Sequence, residues 1–452
     1  MSQEQHTPAF AMTGAPPIPP AATGGAGQVL ARRKLMLFLL AVIYTLNYLD
    51  RQIVVILQEP IKADFGLADW QLGLVTGGAF GLFYTSLGIP IAQWIDRGIN
   101  RVRLIAVLTA GWSVMTILCG ITRNFGQFFL ARMGVGLAEA GFTPAAHSLL
   151  SDMYPPRERP QAMGLFAIGV PVGIMAGLSL GGIVAQLTDW RTALFVAGAP
   201  GLIAAFLLPM LTREPLRGGM DDTPPAAASP VGFAEALRIL ARRRAFVHVL
   251  LGASVCSFAQ AGVMAWLPSY LIRGHGMNLA EAGLSLGLLS GLCGMAGTVA
   301  GGWQATRFGG QKPQGMLWIP VAGTLAMIPL QCLALMAGSG QAMLLLMIVP
   351  LIFGGLWTAP SIALSQGLAP VAMRARASAI YVVFANLVGV SMGPLVLGIL
   401  SDSFAALRGD AATGLRDALI CVTFTLAWGA LHLFLAARHL QRETRENAAG
   451  QS

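Results

Sequence analysis

The chain has 452 residues, of which 55% are hydrophobic and 11% charged. A soluble domain carries roughly 25% charged residues, so this composition excludes an ordinary soluble enzyme and points to a bilayer. The net charge of +9 would suit nucleic acid only if the basic residues formed a patch, and they do not.

Taken in order, residues 1–31 are rich in Pro, Ala and Gly without periodicity and read as a disordered tail. Twelve apolar stretches of about 20 residues follow, at 35–57, 70–94, 104–121, 125–150, 161–187, 192–211, 245–270, 280–304, 315–337, 341–366, 374–400 and 414–437. They are called spans 1 to 12. The expected organisation is an N-terminal bundle at 32–211, a linker at 212–244, a C-terminal bundle at 245–437 and a tail at 438–452. With the N-terminus inside, 21 of the 29 Lys and Arg fall on the inner side, against 10 of the 20 acids. Only the basic residues are biased, as the positive-inside rule requires. The expected location is the inner (plasma) membrane, with both termini cytoplasmic. The five Cys are scattered through apolar stretches without metal-ligand spacing and read as small buried hydrophobes.

The two halves repeat. A shift of 210 residues lays Gly73-Leu74 on Gly283-Leu284 and Arg97 on Arg307, and a shift of 216 lays Phe142-Thr143-Pro144 on Thr358-Ala359-Pro360. The fold class is therefore an all-α membrane protein, twelve transmembrane helices in two pseudo-symmetric six-helix bundles. Glycines four apart mark spans 2 (Gly73, Gly77, Gly81), 5 (Gly169, Gly173, Gly177, Gly181), 8 (Gly283, Gly287, Gly291) and 11 (Gly389, Gly393). Small residues at this interval let backbones approach, so these four helices are expected along the seam between the halves.

Four residues break the apolar pattern. Asp50 and Arg51 lie in the outer half of span 1, and Arg132 and Glu139 in span 4. A charge at membrane depth costs roughly 2.5–3.5 kcal/mol unless it is paired or faces water, so each is a functional candidate. Counting about 1.5 Å per residue puts Asp50 and Arg132 level, about 8–10 Å below the outer edge, with Glu139 about 10 Å deeper on the same helix face. Arg132 and Glu139 are thus too far apart to pair and need partners such as Asp50 or Arg51. The reading is that Asp50 and Glu139 carry protons while Arg51 and Arg132 hold an anionic head group. Tyr44, Asn47, Tyr48, Gln260, Trp266, Trp357, Tyr381 and Asn386 are expected to line the cavity. Asp96, Arg97 and Arg101 are expected to gate its cytoplasmic end by pairing across the halves.

Asp96-Arg97-x-x-Asn100-Arg101 between spans 2 and 3, together with the twelve spans and the basic linker, resembles the major facilitator superfamily over nearly the whole chain. Asn47-Tyr48-Leu49-Asp50-Arg51-Gln52, Glu59-Pro60-Ile61-Lys62, Ala131-Arg132-x-Gly134-Val135-Gly136-x-Ala138-Glu139-Ala140-Gly141 and Ser151-Asp152-x-Tyr154-Pro155-Pro156 are similar to its spinster-type branch. That resemblance implies a transporter related to exporters of sphingosine phosphate and lysophospholipids. The loop between spans 2 and 3 is one residue longer than the family pattern, and Thr306 stands where the second copy would have Asp. In the second half Ile348 and Gly355 match Arg132 and Glu139, so one wall of the pocket is charged and the other apolar. Such a split suits an amphipathic anion moved with protons by alternating access. The alternative is uptake of a small organic anion such as an aromatic carboxylate. A membrane lipid enzyme is a distant third, since no metal-ligand spacing, phosphate loop or hydrolase elbow is present. No cofactor, metal or nucleic acid is expected, and the expected partners are protons, the substrate and the bilayer around a monomer.

Overall fold

The computed structural model describes residues 26–449 except 79–80, 82–83, 85–86, 89, 92–93, 96, 219, 221–232, 311–312 and 371–372. Among the described residues there is no strand, and ten helices are long and apolar enough to cross a membrane. The other two predicted spans are the second, which contains most of the residues outside the description, and the fourth, which is broken in the middle. The first helix begins at Ala26, ahead of the expected boundary at 32, and the last continues to Ala449, through the expected tail. The expected linker holds a short helix, Phe233–Ala241.

Span 4 is two helices, Phe125–Glu139 and Phe142–Met153, and span 10 is likewise two, Gly340–Gly355 and Thr358–Gly367. The breaks fall at positions matched by the repeat, because Glu139 and Gly355 are 216 residues apart. Pro144 and Pro360 explain them: a proline lacks an N–H and its ring presses on the carbonyl four residues earlier, here Ala140 and Leu356. Pro171 acts the same way in span 5, which divides into Arg159–Ala167 and Gly169–Leu187. Other prolines, such as Pro268, lie inside unbroken helices. π-helical turns interrupt span 2 at Leu74–Gly78 and span 11 at Ala385–Ser391, and the two face one another across the halves.

The glycine series divides into two groups with different jobs. Gly169, Gly173 and Gly177 of span 5 pack on the span 1 backbone at Ala41, Thr45 and Leu49, and Gly181 packs on Ile53. Gly389 and Gly393 of span 11 pack on span 7 at Ser257 and Phe258. These contacts lie inside each half and correct the expectation that all four helices present their glycines to the seam. The seam is made by Gly73 and Gly77 of span 2 against Pro394 and Ser391, and by Gly283, Gly287 and Gly291 of span 8 against Leu178, Ser179 and Met175 of span 5. Gly182, outside the four-residue series, meets Leu279. The reason is angular: helices 5 and 11 each touch two neighbours, and a single stripe can serve only one.

A Cβ at Gly182 or Gly283 would run into a main-chain carbonyl of the opposite half, Leu279 or Leu178. We expect Gly283→Val to fold, since the clash is between halves and not within one. The closed contact should lose about 1–3 kcal/mol, the usual range for overpacking. Gly294→Val on the same helix, where nothing lies within 4 Å, is the control. Substrate flux that is equal in the two variants would refute the seam.

Candidate functional site

The four charged residues of spans 1 and 4 divide into two pairs on different sides of span 1. Successive residues of an α-helix point about 100° apart, so Asp50 and Arg51 cannot face the same neighbour. Arg51 Nε donates to Glu139 Oε2 at 2.6 Å. Its guanidinium lies 4.9 Å from the ring centres of both Tyr48 and Tyr84, a doubled cation–π contact. The Arg51 side chain keeps 18% of its surface exposed while that of Glu139 has none. Glu139 closes the first segment of span 4, so the break stands directly behind its carboxylate. Its second oxygen, Oε1, is buried and makes no hydrogen bond, with the buried Asn47 amide as a neighbour.

Asp50 turns to span 3, where the Thr116 hydroxyl donates to its Oδ2 at 3.0 Å. Its Oδ1 is buried without a hydrogen bond. Arg132 Nη1 donates to the Asp50 main-chain carbonyl at 3.3 Å, and the Arg132 residue is 2% exposed. The seven-residue spacing on span 4 thus sets Arg132 against Asp50 and Glu139 against Arg51. Arg51 is the one of the two arginines with open surface; Arg132 is packed between spans 1, 3 and 4, out of contact range for a head group.

The other sequence candidates are scattered. Tyr44 is half-buried and stacks on Phe166, with ring centroids 4.4 Å apart, next to Tyr48. Gln260 and Asn386 are partly exposed on spans 7 and 11. Trp266 is fully buried and donates from its indole to the Pro394 carbonyl at 2.9 Å, so it is an interface packing residue. Trp357 and Tyr381 are buried in the apolar core of the second half. These three are corrections to the expected lining: large aromatic area is drawn into packing.

Arg101 is also corrected. It is 1% exposed and donates to Glu214 at 2.6 Å, Ser148 at 2.7 Å and Asp152 at 2.5 Å, all within the first half and its exit into the linker. It ties spans 3 and 4 together and does not reach the second half. Arg97 is exposed, and Asp96 lies outside the described residues.

Sequence reasoning missed a charged lock at the opposite end of the bundle from the termini. Arg273, in the last turn of span 7, donates to both Asp69 oxygens at 2.7 and 2.8 Å and to Glu59 at 2.8 Å. Lys62 donates to Asp69 Oδ1 at 2.5 Å, and the Ser401 hydroxyl donates to Asp69 Oδ2 at 2.6 Å. Asp402 of span 11 accepts from the Asp69 and Trp70 N–H groups, capping the start of span 2 from the other half. Ser269 adds a hydrogen bond to Gln58 across the same contact. Burial works to raise the carboxyl of Asp69, the first residue of the helix Asp69–Gly73 and just ahead of the apolar run of span 2, but the bonds and charge of Arg273, with Lys62 and Ser401, bring it down to about 2. The available signal was Arg273 itself, one of the few basic residues on the side that is otherwise poor in them.

The profile of the Major Facilitator Superfamily matches residues 40–394. The chain belongs to this superfamily. Over 410 residues it is 35% identical to an MFS-type efflux pump of Mycolicibacterium smegmatis, covering 90% of this chain and 94% of that protein. Over 393 residues it is 27% identical to protein spinster homolog 1 of Homo sapiens, covering 82% of this chain and 73% of that one. Its structure resembles that of a bacterial homolog of the human lysosomal transporter Spinster, solved inward-facing and unoccupied. The TM-score is 0.83 at 30% identity, over 91% of this chain and 98% of that one. This superfamily member is thus of the spinster type, a membrane transporter and not an enzyme.

Proposed function

We propose that this transporter moves an amphipathic anion by proton-coupled alternating access. Arg51 receives the head group, and Glu139 and Asp50 exchange protons. The observation that carries the reading is the Arg51–Glu139 pair, buried mid-span yet open on the arginine side. An incoming phosphate or carboxylate competes with Glu139 for the guanidinium, which binds such groups in a fork. Once displaced, the Glu139 carboxylate is left at low dielectric with no cation, and taking up a proton relieves that cost. Departure of the substrate reverses both events, so head group and proton alternate on one arginine–carboxylate unit. Asp50, with one free oxygen beside Thr116, offers a second proton position one residue away. Arg132 acts through Asp50 by supplying a nearby positive charge.

Ile348 and Gly355 stand at the positions of the repeat that match Arg132 and Glu139, so the second half repeats no charge there, which suits an acyl or aryl tail. The basic bias toward the termini supports a cytoplasmic placement of that end in the inner membrane. The lock then closes the outer side.

The test is flux of a fluorescent lysophospholipid in proteoliposomes under a pH gradient of either sign, with benzoate as competitor. Wild type should follow the gradient. Glu139→Gln should still bind the probe but lose the gradient dependence, with Asp50→Asn reducing it. Full gradient dependence in both variants would refute the proton role, and displacement of the probe by benzoate at equal concentration would favour the small-anion reading.

A further inference from the structure

A second site lies at the end of the bundle that bears the termini, away from the charged pairs. The start of span 1, the ends of spans 4 and 6 and the first residues after span 6 enclose a cavity of about 690 Å³. Arg32, Arg33 and Arg213 contribute charge, and Met36, Met210 and Leu216 contribute apolar wall. Two acids also border it, but both are already engaged: Asp152 and Glu214 bind Arg101, Asp152 also accepts from the Gly218 N–H, and Glu214 from the Val102 N–H. The acids therefore neutralise a buried cation behind the cavity, and the three arginines in front are left in excess. Arg33 donates to the Met220 sulfur at 3.3 Å, which holds its guanidinium in place without cancelling its charge.

The position selects the ligand. Arg32 and Arg33 lie at the start of span 1 and Arg213 two residues past the helix of span 6, the level at which phospholipid head groups sit. Below them the bundle presents apolar surface to the bilayer: Phe206 and Met210, one turn apart on span 6, are each 70% exposed, and Phe38 on the adjoining span 1 is 63% exposed. A cavity with a cationic rim, thioether walls and an apolar apron running into the membrane matches a lipid with a phosphodiester head and acyl chains. Its volume is within the range of small-ligand pockets and can take a glycerophosphate group. Basic pockets between helices on the positively biased side are suited to anionic lipids.

We propose that this cavity is a binding site for an anionic phospholipid, whose phosphodiester is held by Arg32, Arg33 and Arg213. The site is independent of the transport pathway. Its occupant bridges spans 1 and 6 and the root of the linker between the two halves, tying linker position to lipid composition.

The full-length protein in detergent, titrated with dioleoyl phosphatidylglycerol or dioleoyl phosphatidylcholine, tests this by native mass spectrometry of retained lipid. Wild type should retain one phosphatidylglycerol in preference to phosphatidylcholine. Arg32→Gln combined with Arg213→Gln changes two exposed side chains, so folding is preserved. It should weaken that preference on the order of tenfold, because each arginine near a lipid surface contributes a several-fold attraction. Arg238→Gln with Arg242→Gln, at the same end but outside the cavity, should leave it unchanged. The proposal is overturned if wild type does not discriminate between the two lipids, or if the control pair loses the preference as fully as the cavity pair. It is also overturned if inorganic phosphate displaces the lipid at equal concentration, which would make the site one for the free anion.

Discussion

Arg51→Gln is expected to destabilise the protein by about 3–5 kcal/mol, because it leaves the Glu139 carboxylate buried without its cation. The Arg51 guanidinium donates to that carboxylate at 2.6 Å, and the Glu139 side chain has no exposed surface. Transport of an anionic probe should fall roughly tenfold to hundredfold, the equivalent of one charge-assisted bond. The double variant Arg51→Gln with Glu139→Gln separates the two effects. With both charges gone, thermal stability in detergent should return to within about 1 kcal/mol of wild type, while transport stays lost. A single variant as stable as wild type would mean that the pair is not a buried charge balance. A double variant that transports normally would remove Arg51 from the substrate path.

Arg273→Ala should open the far end. It removes three hydrogen bonds at once from Asp69 and Glu59 and leaves these two acids of the first half without the cation that the second half supplies. The closed arrangement should lose roughly 2–3 kcal/mol, a shift of about 30- to 150-fold in the balance of conformations. Spin-label distances between the segments at 59–68 and 274–280 should lengthen in the variant. If they keep the wild-type distribution, the lock does not govern closure. The same lock has a defined response to pH. A carboxyl brought down to about 2 when paired contributes closure that is complete above its ordinary value near 4 and is lost as pH falls toward 2. Lowering the pH on that side from 7 to 5 should therefore leave the distances unchanged. A pH-driven change of conformation in that range must originate elsewhere in the molecule.

Much of the architecture could be read directly. Apolar runs of membrane length, one-sided Lys and Arg, and a repeat at 210–216 residues suffice for twelve helices in two related halves, since a chain in hydrocarbon must satisfy its backbone within helices. Asp50, Arg51, Arg132 and Glu139 stood out for the same reason: ionised groups are costly at that depth. Periodicity even placed Arg132 and Glu139 two turns apart on one face.

What sequence could not decide was partnership. Helix spacing says which residues share a face but not which neighbour that face meets. Only the packed structure separates Asp50 with Thr116 and Arg132 from Arg51 with Glu139, and only it turns Arg101 inward upon Asp152 and Glu214. The glycine stripes show the same limit: one pattern serves backbone contact within a half in spans 5 and 11 and between halves in spans 2 and 8. The Asp69–Arg273 lock joins residues 204 positions apart, each ordinary in its own stretch. Local composition and period are properties of a segment, whereas a salt bridge between halves exists only once both have been folded and brought together.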